Sequence, residues 1–259
     1  MKRYSRREFL GVATAGTHVF AAACSLETAA PQMLSREDAL IKARPHAPTM
    51  TPTVGYSALG ITTPRDGLLY VPTTYRADTP APLVVLLHGN ASSAQAWEDM
   101  AIGSLLDDLG IVVVAPDSRY SAWDFLQIGV QGYGPDPAFI NIALGYTFQR
   151  CNINPARVAI GGFSDGGTEA LGLGIANGDL FTHIIGYSPS TLFAPFTQGK
   201  PKVFLSHGTL DNVVAFDNTK LQMVPKLTAA GYDVTFAEFN GNHGVPASIA
   251  RQSFQWMVA

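Results

Sequence analysis

The sequence predicts an α/β fold with one doubly wound, mostly parallel sheet in a single domain without a large cap. Apolar runs such as 83–87 and 111–115 lack polar alternation, which is typical of strands buried on both faces. Segments with helical spacing alternate with these runs, and 259 residues suit one large domain. A composition of 47% hydrophobic and 14% charged residues excludes a disordered chain and a coiled coil.

The elements of this domain are predicted from about residue 54 to the end of the sequence. The predicted strands are 67–72, 83–87, 111–115, 158–160, 183–187, 202–206 and 234–239. The predicted helices are 94–109, 137–151, 168–176, 218–230 and 247–258. Gly110 ends the first of these helices, and Pro225 is expected to kink or restart the fourth.

The first residues predict an export signal. The string S-R-R-x-F-L at 5–10 follows a basic head and precedes a weakly apolar run that is too short to span a bilayer. This pattern resembles a twin-arginine signal peptide, which we assign to 1–23; an amphipathic surface helix is the alternative. The chain is therefore expected to be exported to the periplasm or the cell envelope.

The end of this signal can be interpreted in two ways. Ala-Ala-Ala-Cys at 21–24 is either an A-x-A cleavage site or a lipobox-like end at which Cys24 becomes lipidated. With 17 basic and 20 acidic residues, the chain has no excess of positive charge that would attract anionic lipid or nucleic acid. Membrane attachment would therefore depend on Cys24. The two cysteines exclude a disulfide framework, and a buried free Cys151 ranks above a Cys24–Cys151 pair.

Residues 24–53 predict a linker or tether before the domain, because they are rich in proline, alanine and threonine. Within this segment, Ser35 is placed to cap one short helix, with acidic residues following it. If Cys24 carries lipid, the segment becomes a spacer between the membrane and the domain.

Ser164 is the predicted nucleophile. It is the serine of a G-x-S-x-G string at 162–166, between a predicted strand and a predicted helix. A sharp strand-to-helix turn holds a hydroxyl clear of the backbone, and its crowding requires glycine on both sides. A glycine-rich packing turn is the structural alternative.

Asp211 and His243 are the predicted partners of Ser164. Each follows a predicted strand, so both emerge at the edge of the sheet where Ser164 lies. The chain order Ser, Asp, His is the order expected of α/β-hydrolases. His88 and His207 also stand at strand ends before a glycine, where a histidine commonly bonds to backbone, so each is a weaker candidate for the base.

Two backbone amides are expected to bind an oxyanion. One is the amide of Asp165, directly after the nucleophile, and we expect the Asp165 carboxylate to point to solvent. The other comes from the loop after an early strand, where Gly89 lets the chain turn; Asn90 is assigned, with Ala91 as the alternative.

Four motifs together resemble the phospholipase/carboxylesterase/thioesterase branch of the α/β-hydrolases. They are L-L-H-G-N at 86–90, G-F-S-D-G-G at 162–167, S-H-G-T-L-D at 206–211 and N-H-G at 242–244. The resemblance implies hydrolysis of carboxylic esters or thioesters without a cofactor or metal. It carries over the triad Ser164, Asp211 and His243 and the amides of Asn90 and Asp165. Members of this branch often have Leu at the position of Asn90 and Gln at the position of Asp165.

The expected substrate is a small-molecule or lipid-like ester in an open site. Trp123, in an irregular stretch beyond a strand end, is the best candidate for a wall of that site, although aromatic residues more often lie in the core. The alternative functions are a serine peptidase of the same fold and a non-catalytic binding protein on a hydrolase scaffold. The sequence leaves the oligomeric state open.

Overall fold

The computed structural model describes residues 35–126 and 133–259. The signal peptide predicted over 1–23 and the lipidation predicted at Cys24 lie outside the described residues. Within the described ranges, no helix is long and apolar enough to cross a bilayer, and no group of His, Cys, Asp and Glu is arranged to hold a metal ion.

One eight-stranded sheet organises the domain, in the order β1-β2-β4-β3-β5-β6-β7-β8. The strands are β1 Gly55–Ala58, β2 Gly67–Val71, β3 Ala81–Leu87, β4 Val112–Pro116, β5 Ile153–Phe163, β6 His183–Tyr187, β7 Lys202–Gly208 and β8 Val234–Phe239. β2 is antiparallel to both of its neighbours, β1 and β4. All other neighbouring strands of the sheet are parallel to each other. The predicted mostly parallel sheet is therefore confirmed.

Helices cover both faces of the sheet. They are α1 Arg36–Ala39, α2 Gln95–Asp99, α3 Gly103–Leu109, α4 Asp136–Phe148, α5 Asp165–Ala176, α6 Val224–Ala229 and α7 Ala247–Val258. Apolar residues of α4, α5 and α6 pack on one face, together with Leu83, Val85 and Leu87. Those of α2, α3 and α7 pack on the other face with Val84 and Leu86, because successive strand residues point to opposite faces. This arrangement is the doubly wound fold.

Two helices differ from the sequence prediction. The helix predicted over 94–109 is two short helices, because Ala101 has a φ of 53° and breaks the hydrogen-bond ladder. The helix predicted over 218–230 begins as a π-helical turn, Asn218–Met223, and restarts as α6 with Pro225 in its first turn.

The described part of the expected linker, 35–53, packs against the domain instead. Ser35 Oγ accepts the N–H of Glu37 and caps α1, as predicted. Ile41 is 1% exposed, and its N–H donates to Asn177 Oδ1 at 2.8 Å. Asn141 Oδ1 accepts the N–H groups of residues 42 and 43. These side-chain amides satisfy the backbone of an irregular segment, which composition alone does not reveal.

The register of the parallel strands places their carboxyl ends side by side. Leu87 pairs with Gly162, Phe163 with Tyr187, and Gly208 with Phe239. The segments that follow β3, β5, β7 and β8 therefore meet at one edge of the sheet, where parallel α/β sheets hold their sites.

Candidate active site

Ser164 occupies the strained turn that joins β5 to α5. Its φ is 55° and its ψ is −117°, a conformation that costs a non-glycine residue free energy unless its surroundings enforce it. A Cβ on Gly162 would lie 2.3 Å from the carbonyl oxygen of Gly166, and a Cβ on Gly166 would lie 2.3 Å from the carbonyl oxygen of His88. The crowding explains both glycines of the G-x-S-x-G string.

Asp211 and His243 form a hydrogen-bonded pair. Nδ1 of His243 lies 2.7 Å from Oδ2 of Asp211; the Asp211 side chain has no exposed surface and the His243 side chain is 14% exposed. The two loops are tied together, since Leu210 N–H donates to the carbonyl oxygen of Gly241 at 3.0 Å. Burial would raise the pKa of Asp211, but hydrogen bonds from His243 and from backbone N–H groups outweigh it and hold the pKa below its ordinary value. Asp211 is therefore an ionised orienting carboxylate.

The amides assigned to the oxyanion lie in the segments after β3 and β5. Among the described residues, neither Asn90 N–H nor Asp165 N–H donates to a partner. The N–H of Ala91 donates to the carbonyl oxygen of Ser121 at 2.8 Å, so it is committed elsewhere. The geometry therefore favours Asn90 over Ala91.

His88 fixes the direction of the Asn90 amide. Its Nδ1 lies 2.7 Å from the carbonyl oxygen of Gly89, which belongs to the same peptide group as Asn90 N–H. Its Nε2 faces two donors, an Arg65 guanidinium nitrogen and Ser118 N–H, each at 3.1 Å. Nε2 must therefore accept, and Nδ1 carries the proton and donates. Because a trans peptide directs its N–H away from its C=O, holding the Gly89 oxygen aims Asn90 N–H in the opposite direction.

Ser164, His243 and Asn90 open into one cavity of about 560 Å³. Most of its wall is apolar. The apolar side chains in it are Ala96, Trp97, Met100, Phe163, Val213 and Val245. The rings of Phe163 and His243 lie 4.7 Å apart, so the wall extends to the base itself. The cavity suits an uncharged apolar group next to the hydroxyl.

Part of the sequence is similar to a curated feruloyl esterase. No family model matches this chain. Feruloyl esterase B from Thermothelomyces thermophilus is 30% identical over 118 residues, which cover 44% of this chain and 40% of that protein. The chain therefore spans less than half the length of this curated relative.

Solved structures are similar over much more of the chain. FphF, a fluorophosphonate-binding serine hydrolase from Staphylococcus aureus, has a TM-score of 0.65 at 16% identity, covering 80% of this chain and 100% of that one. A ferulic acid esterase from Anaeromyces mucronatus, solved with ferulic acid, has a TM-score of 0.58 at 19% identity, covering 87% and 96%. The chain has the α/β-hydrolase fold.

The prediction that Trp123 forms a wall of the site is wrong. The residue is fully buried, and its Nε1 donates to the carbonyl oxygen of His88 at 2.7 Å. Its ring lies 4.9 Å from the His88 ring, so it supports the loop beneath the amides and does not line the cavity. Trp97 and Met100 form part of the wall instead, and their apolar helical spacing indicated only that they would be buried.

Asp165 also differs from expectation. It is only 9% exposed and its side chain does not point freely to solvent. Burial raises the pKa of this carboxyl, while His243 and a hydrogen bond from Asn90 act in the opposite direction. The Asp165 side chain is thus close both to the Asn90 side chain and to the base.

Proposed function

We propose that the chain is a serine hydrolase that cleaves carboxylic esters, of the carboxylesterase or lysophospholipase kind, through Ser164, His243 and Asp211. One observation carries the proposal: a serine on a strained turn opens into the same apolar cavity as a histidine that a buried carboxylate orients. The partial likeness to feruloyl esterase B supports it.

The proposed mechanism uses side chains and backbone of this chain alone. His243 takes the proton of Ser164 as the hydroxyl attacks the ester carbonyl, and Asp211 holds the imidazole with Nε2 toward the serine. The developing oxyanion accepts from the amides of Asn90 and Asp165. The alcohol leaves with the proton from His243, and a water activated by the same base then releases the acid from Ser164.

The cavity suggests which esters fit. The described residues that line it include no Lys, Arg, Asp or Glu, so an uncharged acyl or aryl group is the matching chemistry. A volume of about 560 Å³ accommodates a substituted aromatic acid or a medium acyl chain. Relatives that bear the names feruloyl esterase and ferulic acid esterase make an aromatic acyl group the first substrate to examine.

Ester hydrolysis by the purified protein and by Ser164→Ala tests this function. The panel is p-nitrophenyl esters of two to sixteen carbons, methyl ferulate and an aminoacyl amide. We expect ester turnover by the wild type and a loss of about a thousandfold or more in Ser164→Ala.

Ser188→Ala is the matched control for this substitution. Ser188 is a buried serine with a φ of 45° at the end of β6, and it does not line the cavity, so its variant should keep wild-type turnover. Amide cleavage without ester cleavage would favour a peptidase. Absence of both would favour a binding protein.

We also propose that residues 1–23 direct export and that Cys24 is lipidated. The support is the S-R-R-x-F-L string and the residues around Cys24. Metabolic labelling with a radioactive fatty acid should mark the wild type and leave Cys24→Ala unmarked. If neither protein carries label, Cys24 is not lipidated. Retention of the double variant Arg6→Lys/Arg7→Lys in the cytoplasm would support the twin-arginine route.

A further inference from the structure

The carboxylate of Asp211 accepts three hydrogen bonds, and a second histidine lies against it. Oδ1 accepts the N–H groups of Val213 and Val214, each at 2.9 Å. Oδ2 lies 2.7 Å from Nδ1 of His243 and 3.1 Å from Nε2 of His207. The side chains of Asp211 and His207 have no exposed surface. Two imidazoles therefore share one buried carboxylate oxygen.

The neighbours of His207 determine which of its nitrogens carries a proton. Besides Asp211 Oδ2, its Nε2 faces the carbonyl oxygen of Val214 at 3.0 Å. Both neighbours are acceptors, so Nε2 carries hydrogen. Nδ1 lies 2.8 Å from the hydroxyl of Thr219, which is fully buried. The same hydroxyl lies 3.9 Å from Sδ of Met223, and its contact with Nδ1 fixes the orientation of the ring.

Thr219 lies on the π-helical turn Asn218–Met223 that precedes α6. A π turn inserts one residue into the helical repeat and redirects the side chains around it. At this position it directs a hydroxyl at His207, whose ring also meets the ring of Phe216 edge-on at 6.0 Å. The π-helical turn therefore holds Thr219 against the histidine that contacts Asp211.

We propose that His207, held by Thr219, is a positioning residue for the Asp211–His243 pair. The inference rests on the proposed function and adds a residue to its machinery. His207 holds Oδ2 in the direction of His243 and withdraws part of the carboxylate's negative charge from the base. Nearby charges and hydrogen bonds set how strongly a carboxylate favours imidazolium.

The charged groups around the base are few in the described part of the chain. Asp211 faces His243 at Nδ1, and Asp165 acts on it from the start of α5. His207 faces Asp211 and the neutral Thr219 and Phe216. If the donor on His207 is removed, Oδ2 interacts with His243 alone, and the imidazolium form of His243 is favoured.

The test compares His207→Phe with His207→Gln. Phenylalanine fills the volume without a donor, whereas the glutamine amide can present an N–H where Nε2 lies. We expect His207→Phe to lower kcat about ten- to hundredfold with KM within about twofold, because small misplacements of a catalytic group have effects of this size. The acidic limb of its pH–rate profile should move about half a unit or more toward higher pH. His207→Gln should recover most of both.

A second pair of variants covers the case in which His207→Phe does not fold. Thr219→Val removes the hydroxyl at nearly constant shape, and Thr219→Ser keeps it. We expect a loss of kcat of about threefold or more for valine and near-wild-type kcat for serine, since the unpartnered Nδ1 loosens the ring. His183→Gln is the matched control, because His183 is a buried histidine at the start of β6, whereas the site lies beyond the carboxyl ends of the strands. This variant should leave the acidic limb of the pH–rate profile unchanged.

A readout that needs no substrate separates this inference from the proposed function. In protein labelled with ¹⁵N-histidine, the wild-type His207 should show a protonated Nε2. The His243 titration should move to higher pH in His207→Phe even if no ester is hydrolysed. An unchanged titration and kcat in His207→Phe, or a His207→Gln variant no better than His207→Phe, would overturn the positioning role.

Discussion

Nδ1 of His88 lies 2.7 Å from the carbonyl oxygen of Gly89, so a buried side chain holds the peptide whose N–H is assigned to the oxyanion. His88 is 1% exposed, and burial lowers its pKa. It is therefore a neutral donor across the pH range in which His243 works as a base. A sequence pattern indicates a histidine before a glycine, but the function of its two nitrogens follows only from the partners that the fold supplies.

His88→Leu should lower kcat without weakening substrate binding, because the Gly89–Asn90 peptide loses the hydrogen bond that aims it. Loss of one oxyanion donor costs about a hundredfold or more, and a misdirected donor should approach that figure. His88→Asn, whose side-chain amide can take the place of Nδ1, should lose less. Steady-state kinetics and the affinity for a boronic acid, which resembles the tetrahedral intermediate, measure the effect. Equal kcat values in His88→Leu and the wild type would contradict it.

Met100→Ala should shift the preference for acyl groups. Met100 lines the cavity beside Trp97, and its truncation lengthens the apolar space next to Ser164. Each additional methylene that such a pocket accommodates changes kcat/KM by about tenfold or more. We expect the optimum among p-nitrophenyl esters to move by two or more carbons toward longer chains. A profile that falls uniformly at every chain length would show a structural effect instead.

Gly166→Ala should prevent folding or reduce stability by several kcal/mol. The added Cβ would lie 2.3 Å from the carbonyl oxygens of His88 and Leu87, and backbone oxygens cannot yield as a flexible side chain can. Gly145→Ala is the matched control, because its Cβ meets nothing within 4 Å and the site lies inside α4. It should stabilise by about 0.5–1 kcal/mol. Chemical denaturation of both variants measures the contrast, and a mild effect in Gly166→Ala would be inconsistent with the crowded turn.

The sequence predicted most of the fold because the fold depends on local patterns, and the same patterns placed Ser164, Asp211 and His243 after strands at one edge of the sheet. Apolar runs marked the strands from β3 to β7, and the turn around Ser164 needs glycines that are visible in the chain. The attachment of 35–53 to the domain and the contact of His207 with Asp211 depend on residues brought together by folding. Helical spacing indicated that Trp97 would be buried, and Trp123 was expected in the wall of the site; the fold instead places Trp97 in the cavity wall and Trp123 beneath His88.

Glu169→Gln should stabilise the protein above neutral pH. Glu169 lies in α5 and is 1% exposed, and burial raises its pKa well above the ordinary value, with further increases from Asp136 and Asp124. Burial likewise raises the pKa of Asp136 to about 7. A carboxyl with a raised pKa binds its proton more tightly in the folded state, so stability falls as the pH rises above the pKa of the unfolded chain.

Glutamine resembles the protonated form, so the variant should show no such fall from Glu169. We expect the Tm of Glu169→Gln to match the wild type near pH 4.5 and to exceed it by several degrees at pH 8, since about 1 kcal/mol corresponds to ~2–4 °C at this size. Glu238→Gln removes an exposed carboxylate paired with Lys220 and should leave the pH dependence nearly unchanged. A Tm difference that stays constant between the two pH values would mean that Glu169 is not held protonated.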